Sequence, residues 1–464
     1  MTVPPAIDKY MNLKMEKSSL HRFVEFFISF GLLVVLFGKI TISTQGNELN
    51  LLIFYGISVT LAVWLVLFFA FVIYKDPYIA SKIKLKGQKP KNYRVSCMVA
   101  VRNEEENISR CIESMIAQSH VKKEIIVVND ASTDDTLKIL KEYEKDGLIK
   151  LINLENNLGK KKALGRAMAV AKGRIFAFTD SDSIWAPDAI EKIVTIFQAN
   201  EDVGAVSGHS RALNGDQNLI TKIQDSWYEG QYSVRKAFES VWGAVTCVSG
   251  PLAVFRRAAI FNYIPAWEND SFLGQEFKFA TDRTLTGFVL GSKIIGKKLK
   301  EKYKDFPFVT KFDYPERDWK IVYSKSAKSW TIVPDNFQKV IRQQIRWKKS
   351  FIRNIFFTGL FYWRKPLLPA LMYYLHILFV LIGPFIVFRH LIYLPINGNP
   401  WTALLYLAGI VFVGFMFGLA YKLENRNCHK WVYRPLMSLL SALVLCWLIF
   451  YSASTIKKMV WIRN

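Results

Sequence analysis

The stretch Arg174–Asp182, RIFAFTDSD, decides the fold class. Residues 175–178 are apolar, as expected of a strand buried on both faces, and Asp180 and Asp182 follow where that strand ends. In open α/β sheets, ligands bind at the carboxyl ends of the strands. Paired carboxylates with few other protein ligands suit Mg²⁺ or Mn²⁺ shared with substrate phosphates. The stretch therefore predicts a buried strand with a metal site formed by Asp180 and Asp182 at its end.

Outward from this strand, strand-like and helix-like segments alternate. We predict strands at Val95–Val101, Glu124–Asp130, Ile149–Leu154 and Arg174–Thr179, and helices at Glu105–Gln118, Asp134–Glu144, Lys160–Lys172 and Pro187–Ala199. Such alternation indicates βαβ units, a parallel sheet and right-handed crossovers. The middle of the chain is therefore expected to be an α/β domain whose ligand site lies at one edge of the sheet.

Polar residues follow the first two predicted strands. Ala100–Glu104 ends the first strand and opens a helix, where it could hold a nucleotide or form an ordinary acidic first turn. Asp130 ends the second strand and is placed to accept hydrogen bonds from a base or ribose, whereas Ser132 or Thr133 could cap the next helix.

Lys160, Lys161 and Lys162 open the third predicted helix. Cations at a helix N-terminus oppose the helix dipole, so these lysines do not serve helix stability. Two explanations stay open, a bound diphosphate and a solvated basic turn. The lysine-rich segment Lys293–Lys311 further along is expected to be a solvated surface loop.

Three later features, two segments and a single aspartate, are candidate parts of a site. Thr246–Pro251 is a bend of small residues that permits close approach of a ligand, or is a simple turn. Asp282 could cap a helix or act as a general base beside the metal. Gln343-Gln344-Ile345-Arg346-Trp347 offers a guanidinium fork for phosphate and an indole face for a sugar, although an interfacial anchor is the alternative.

The composition favours a membrane protein. Half of the 464 residues are apolar, yet the formal net charge is +24. Apolar runs occur at Phe23–Ile40, Leu51–Tyr74, Leu367–Phe388, Trp401–Tyr421 and Leu436–Ile456, most of them near the ~20 residues that cross a bilayer. Basic residues flank these runs and no nucleic-acid module is visible, so nucleic acid is not an expected partner.

The positive-inside rule predicts the orientation. Lysines before the first pair of runs and after Tyr74 place both the N-terminus and the α/β domain in the cytoplasm. Three C-terminal crossings would leave the C-terminus outside, against the terminal Lys457, Lys458 and Arg463. Either the last run re-enters the membrane or another run is interfacial.

Taken together, these motifs resemble the family 2 glycosyltransferases with a GT-A fold. Within that family they look like the processive membrane synthases, namely the hyaluronan synthases and the chitin-oligosaccharide (nodulation-type) synthases. The resemblance covers nearly the whole chain, and the order of the DxD at Asp180–Asp182, Asp282 and the QxxRW at Gln343–Trp347 carries it.

The resemblance implies a role for each candidate residue. Asp282 would be the catalytic base, and Asp182 with Asp180 would hold Mg²⁺ or Mn²⁺. The nucleotide sugar would bind at Ala100, Arg102, Glu104, Asp130, Lys160, Asp180, Gln343 and Arg346, and the acceptor at Cys247, Ser249, Gly250 and Trp347.

The expected function is that of a hexosyltransferase similar to hyaluronan synthase. It would polymerise a β-linked, GlcNAc-containing polysaccharide, hyaluronan or chitin-like, from UDP-GlcNAc, with UDP-GlcA as a further donor, and export it across the plasma membrane. Its partners would be the growing polysaccharide and membrane lipids. The alternatives are a non-processive transferase acting on a lipid-phosphate carrier and a non-catalytic nucleotide-sugar-binding or export subunit.

The same resemblance suggests four regions. Residues 1–75 would be a tail with two transmembrane helices, 76–335 a cytoplasmic GT-A domain, 336–365 interfacial helices with QxxRW, and 366–464 a C-terminal transmembrane region.

Overall fold

The computed structural model describes residues 22–23, 26–30, 51–88, 92–398, 400–425, 427 and 429–458. The strands are β1 (Val95–Val101), β2 (Lys123–Asp130), β3 (Lys150–Leu154), β4 (Ile175–Phe178), β5 (Ser183–Trp185), β6 (Val203–Ala212), β7 (Ala253–Arg256), β8 (Ser271–Phe272), β9 (Gln275–Glu276) and β10 (Lys320–Thr331). The helices are α1 (Leu51–Phe68), α2 (Pro77–Lys84), α3 (Ile108–Ile116), α4 (Thr136–Lys145), α5 (Lys160–Val170), α6 (Ala189–Ala199), α7 (Leu219–Gly230), α8 (Ala237–Val241), α9 (Arg257–Ile260), α10 (Ile264–Glu268), α11 (Thr281–Lys302), α12 (Pro307–Thr310), α13 (Phe337–Ile355), α14 (Leu367–Phe388), α15 (Leu394–Ile396), α16 (Trp401–Glu424), α17 (Arg434–Leu443) and α18 (Leu448–Ser454).

An eight-stranded sheet, in the order β3-β2-β1-β4-β7-β6-β10-β5, forms the centre of the α/β domain. The strands β3, β2, β1 and β4 run parallel, which confirms the predicted βαβ half of the sheet. Beyond β4 the sheet is mixed, because β7 pairs antiparallel with both β4 and β6. The carboxyl ends of β1, β2 and β4 therefore share one edge.

Helices cover both faces of this sheet. In β1, Cys97 and Val99 pack with α3 on one face, while Met98 packs with α5 on the other, as the alternation of side chains along a strand requires. Both faces are apolar because both are buried, which explains why the parallel strands are continuous apolar runs rather than alternating ones.

The lysine-rich segment Lys293–Lys311 is not the loop that the sequence predicted. Its first part continues α11 as far as Lys302, and α12 covers Pro307–Thr310. The helix persists because Leu285, Phe288 and Val289 bury one face of its earlier turns. The lysines mostly lie on the exposed face, so the expectation of a solvated surface was correct and that of a loop was wrong.

Long apolar helices flank the α/β domain. Within the described residues, Ser58–Lys84, Leu367–Ile396 and Trp401–Leu423 are long and apolar enough to cross a membrane. Lys430–Leu443 and Leu445–Ser454 form a further pair bent by 45°, as in a broken span or a re-entrant loop. Most of the predicted run Phe23–Ile40 lies outside the described residues. Large apolar side chains such as Leu367 and Leu405 are 83% and 73% exposed, so these helices require a lipid environment.

A buried charge cluster joins the sheet to the C-terminal helices. Asp225 on α7 accepts hydrogen bonds from Arg211 Nε (2.8 Å) on β6 and from Lys430 Nζ (3.2 Å). Arg211 also donates to the hydroxyl of Tyr421 on α16 at 2.8 Å. Burial raises the pKa of the Asp225 carboxyl, but the charges of Arg211 and Lys430 outweigh it and hold the pKa below its usual range.

Replacing Asp225 with Asn should destabilise the protein by about 3 kcal/mol, because the change breaks a buried ion pair and leaves Arg211 with only the more distant Glu229 at 3.5 Å. Lys430 keeps its pair with the exposed Asp216 at 2.7 Å. The measurement is the unfolding temperature of the detergent-solubilised protein. Asp202→Asn is the control, since it removes the exposed Lys320–Asp202 pair (2.7 Å) and should cost about 0–1 kcal/mol. Equal losses in the two variants would contradict the role of the cluster.

Candidate active site

The two aspartates of the DxD lie in the turn between β4 and β5. Lys160, the first residue of α5, forms an ion pair with Asp180. The Asp182 carboxylate accepts hydrogen bonds from Thr331 Oγ1 at 3.2 Å and Ser183 Oγ at 3.3 Å. These contacts hold both carboxylates at the sheet edge where the sequence predicted them.

The electrostatics of the DxD fit a bound divalent cation. Burial raises the pKa of the Asp182 carboxyl to about 6, and the neighbouring Asp180 carboxylate adds to the rise. Among the described residues, no group of three or more His, Cys, Asp and Glu side chains is arranged to hold a metal. Two protein carboxylates completed by substrate phosphates are nevertheless the usual donor set for Mg²⁺, so the residues present fit a metal that is shared with a phosphate-bearing substrate.

Asp282 lies in the first turn of α11 and faces the DxD. It does not cap the helix, because its Oδ2 instead accepts a hydrogen bond from the backbone N–H of Gly250 at 2.9 Å. Burial raises the pKa of the Asp282 carboxyl; Lys160 opposes this rise and Asp180 adds to it. A carboxylate with a raised pKa is a stronger proton acceptor, as a general base requires.

The small-residue bend Thr246–Pro251 joins these groups. A Cβ atom at Gly250 would lie 2.6 Å from Asp180 Oδ2, so a side chain at this position would displace the aspartate. A cavity of about 20 Å³, the size of one water molecule, is lined by Lys160, Gly250 and Asp282 among others. The bend is therefore part of the site rather than a remote turn.

Ser249 and Cys247, the other predicted acceptor residues, lie beside a buried lysine. Lys236 Nζ donates to Ser249 Oγ at 2.5 Å and to Ser207 Oγ at 2.8 Å, above the ring of Tyr232. Burial lowers the pKa of Lys236 to about 8. Burial also raises the pKa of the Cys247 thiol, which keeps it protonated.

The predicted nucleotide residues meet at the ends of β1 and β2. Asp130 accepts hydrogen bonds from the backbone N–H groups of Leu158 (2.7 Å) and Gly159 (3.0 Å), and thereby holds the loop that leads into Lys160. Ala100 is partly buried and Arg102 is exposed. The side chain of Glu104 is buried, and its backbone N–H donates to Thr136 Oγ1 at 2.9 Å. Asp130 thus has a structural task that the sequence did not predict, and its role in binding a nucleotide stays a prediction.

The three lysines that open α5 are ion-paired, an arrangement that neither sequence explanation included. Lys160 pairs with Asp180, Lys161 with Asp270 at 2.8 Å and Lys162 with Glu276 at 2.8 Å. For Lys160, burial lowers the pKa, but Asp180 and Asp282 outweigh burial and raise it.

The helix α13 presents Gln343, Arg346 and Trp347 on one face, as their i, i+3, i+4 spacing predicts. Gln343 Oε1 is buried and has no hydrogen-bond partner among the described residues, which indicates a missing donor. Burial lowers the pKa of Arg346, while Asp180 and Asp182 oppose the shift. Arg346 therefore lies within electrostatic reach of the DxD.

Trp347 stacks on Trp227 of α7, with ring centroids 5.5 Å apart and an interplanar angle of 28°. Trp227, Lys236 and Thr331 were not identified from the sequence. Trp227, Tyr228, Tyr232 and Lys236 recur at helical spacing, and this aromatic–lysine stripe is the signal that could have found two of them.

Comparison with known proteins gives the following matches. Residues 96–262 match the model of the family described as Glycosyl transferase family 2. A hyaluronan synthase of Streptococcus pyogenes is 27% identical over 387 residues, covering 80% of this chain and 84% of that protein. An N-acetylglucosaminyltransferase of Bradyrhizobium diazoefficiens is 30% identical over 308 residues, covering 65% of this chain and 57% of that protein.

Among solved structures, a mannosyltransferase from Pyrobaculum calidifontis in complex with GDP-Man and Mn²⁺ aligns with 79% of this chain and 93% of its own. The identity is 21% and the TM-score 0.42. The family match and the observed sheet with its flanking apolar helices confirm the predicted fold class, an α/β GT-A domain between candidate membrane helices.

The raised pKa of Asp182 predicts how Mn²⁺ with UDP stabilises the protein. Without metal, folding favours the protonated carboxyl, so the contribution of Asp182 to stability falls as pH rises through about 6. Metal replaces that proton. The increase in unfolding temperature caused by Mn²⁺ and UDP should therefore be larger at about pH 7.5 than at about pH 5.5. In Asp182→Asn, the increase in unfolding temperature should be the same at both pH values. Equal increases at both pH values in the unaltered protein would contradict the assignment of Asp182 as a metal ligand.

Proposed function

We propose that this protein, a membrane glycosyltransferase whose residues 96–262 are a family 2 domain, is a processive, inverting enzyme. It would build a β-linked, GlcNAc-containing polysaccharide from UDP-sugars and export it across the membrane. The names of its relatives, hyaluronan synthase and N-acetylglucosaminyltransferase, support GlcNAc as a building block.

One observation carries the proposal. The Gly250 N–H donates a hydrogen bond to Asp282. Asp180 occupies the space that a side chain at position 250 would need. The proposed proton acceptor and one carboxylate of the proposed metal site are thus brought to the same backbone position. Single-step inversion needs this pairing of one base with leaving-group stabilisation, and it needs no enzyme nucleophile.

The proposed reaction is a displacement at the anomeric carbon. Asp282 takes a proton from the acceptor hydroxyl, whose oxygen attacks the anomeric carbon as the bond to UDP breaks. Arg346 and Lys160 would balance the charge that develops on the departing diphosphate, and Gln343 would contribute its amide there. Trp347, held by Trp227, would stack against the acceptor sugar. Mg²⁺ or Mn²⁺ held by Asp182 and Asp180 would supply further charge neutralisation.

The direct test incubates purified protein with Mn²⁺ and UDP-GlcNAc, alone or paired with UDP-GlcA, and sizes the product. We expect a polymer in at least one incubation and none from Asp282→Asn, which should still bind UDP because the change leaves the diphosphate side intact. Polymer from UDP-GlcNAc alone would identify a chitin-like product. If Asp282→Asn transferred sugar at the rate of the unaltered protein, Asp282 would not be the catalytic base.

The same incubation separates the alternatives. A transferase acting on a lipid-phosphate carrier yields a glycolipid carrying a single sugar, and a binding or export subunit binds UDP-sugar without releasing UDP. Either result would overturn the polymerase proposal.

Export is supported by a polar track that leads from the bend Thr246–Pro251, the proposed acceptor loop, into α14. Glu239 accepts hydrogen bonds from Thr246 N (2.9 Å) and Thr246 Oγ1 (2.8 Å), and lies 3.6 Å from Arg235. Arg235 Nη1 in turn lies 3.0 Å from Nε2 of His376, inside the apolar α14. Ionisable residues within membrane helices usually face a protein interior or an aqueous path. We propose that the growing chain leaves along this track.

His376→Trp should therefore shorten the product by about tenfold, because an indole in the track raises the barrier to each elongation step relative to release. UDP release in a single transfer to a short acceptor should be unaffected. Leu378→Trp, on the same helix at a side chain 44% exposed, is the matched control. Products of equal length from both variants would contradict the proposed path.

The topology and the domain limits belong to the same proposal. The protein would be a multi-pass protein of the plasma membrane with residues 76–335 in the cytoplasm, where UDP-sugars are available, and with residues 336–365 at the membrane interface. The last segment would re-enter the membrane rather than cross it, a course that the 45° bend between Lys430–Leu443 and Leu445–Ser454 allows, as it also allows a broken span.

A further inference from the structure

Asp270, which had no role in the sequence analysis, lies between two buried cations from different helices. Lys161 Nζ contacts Asp270 Oδ2 at 2.8 Å, and Arg353 donates from Nε to Oδ1 at 3.1 Å and from Nη2 to the same oxygen. The exposed fractions are 5% for Asp270, 6% for Lys161 and 8% for Arg353. The ion triad is therefore inside the protein.

Each side-chain contact of Asp270 leads to a part of the candidate site. Lys161 follows Lys160, the partner of Asp180. Arg353 lies two turns after Arg346 and Trp347 on α13. A third helix, α11, contacts Asp270 through Thr284, whose Oγ1 lies 3.5 Å from Asp270 Oδ2. Thr284 follows Asp282 by two residues. One carboxylate thus connects the helices that carry the donor lysine, the base and the QxxRW residues.

The connection is geometrically restrained on both sides. Lys161 Nζ also donates to the carbonyl of Phe277 at 2.7 Å, and the Phe277 N–H donates to the carbonyl of Asp270 at 2.8 Å, which closes the hairpin of β8 and β9. The planar guanidinium of Arg353 fixes the direction of its hydrogen bonds to Asp270 as well as their length. Buried ion pairs contribute little net stability compared with apolar residues of similar volume, so restraint of geometry is the better account of this one.

We propose that Asp270 is a positioning residue for sugar transfer, which sets the spacing between the Lys160–Asp180 pair, Asp282 and the Arg346–Trp347 face. The inference rests on the proposed transferase function. Without Asp270 the groups remain present but shift relative to one another, and a misplacement of about 1 Å can lower the rate of transfer by 10²-fold.

The test compares Asp270→Asn and Arg353→Lys with Asp76→Asn. Arg353→Lys keeps the positive charge but loses the planar guanidinium and its two directed hydrogen bonds. It should therefore fold even if Asp270→Asn does not. Asp76 is a matched control, since it is 5% exposed and accepts hydrogen bonds from Ser324 Oγ (3.0 Å) and Ser326 N (2.7 Å), outside the site. We measure kcat and KM for UDP-GlcNAc with Mn²⁺, together with the unfolding temperature.

We expect kcat to fall by about 10- to 100-fold in Asp270→Asn and Arg353→Lys with little change in KM, and Asp76→Asn to lower only the unfolding temperature. Unchanged kcat in Arg353→Lys, or an equal fall of kcat in Asp76→Asn, would overturn the proposal.

Hydrogen–deuterium exchange provides a readout that needs no turnover. Arg353→Lys should speed exchange in the first turn of α5 and the last turns of α13, and Asp76→Asn should change neither. If the unaltered protein releases no UDP, the proposed function fails. If exchange in Arg353→Lys is the same as in the unaltered protein, the positioning role of Asp270 fails, whatever the result for UDP release.

Discussion

The carboxylates Asp180, Asp182 and Asp282 crowd around Lys160 at the edge of the sheet, and the rest of the site depends on this excess of negative charge. Burial raises the pKa of Asp182 and of Asp282, because a low dielectric disfavours the charged carboxylate, and the like charge of Asp180 adds to both rises. In the proposed mechanism, a divalent cation and the guanidinium of Arg346 would relieve that repulsion.

The strands β1 to β4 and their helices could be predicted to within a few residues, because apolar periodicity is a local signal. Asp180 was identified because it follows a strand, and Arg346 because it sits at helical spacing with Gln343 and Trp347. Asp282 was assigned as the base only through the family resemblance. The contacts that hold them could not be predicted, since Asp270 lies 109 residues from Lys161 and 83 from Arg353. Asp130 shows the same limit, because its hydrogen bonds to the Leu158–Gly159 loop depend on tertiary packing. The error at Lys293–Lys311 arose because charge concealed the apolar face of α11.

The membrane helices are attached to the catalytic domain through polar contacts rather than by apolar packing alone. Asp225 binds Arg211 and Lys430, which joins β6 and α7 to the C-terminal region. The Arg235–His376 contact joins the region beside the acceptor loop to α14. Both contacts lie where the domain meets the lipid-exposed helices. In this account the sheet edge performs transfer, and the polar track beside it gives the product a way out.

The most direct measurement is a structure of the protein bound to UDP and Mn²⁺. The account predicts that Mn²⁺ contacts Asp182 and the diphosphate, that Arg346 and Gln343 face the diphosphate, and that Asp282 stays open on the opposite side for an acceptor hydroxyl. A nucleotide bound away from the DxD, or a diphosphate out of reach of Arg346, would contradict it.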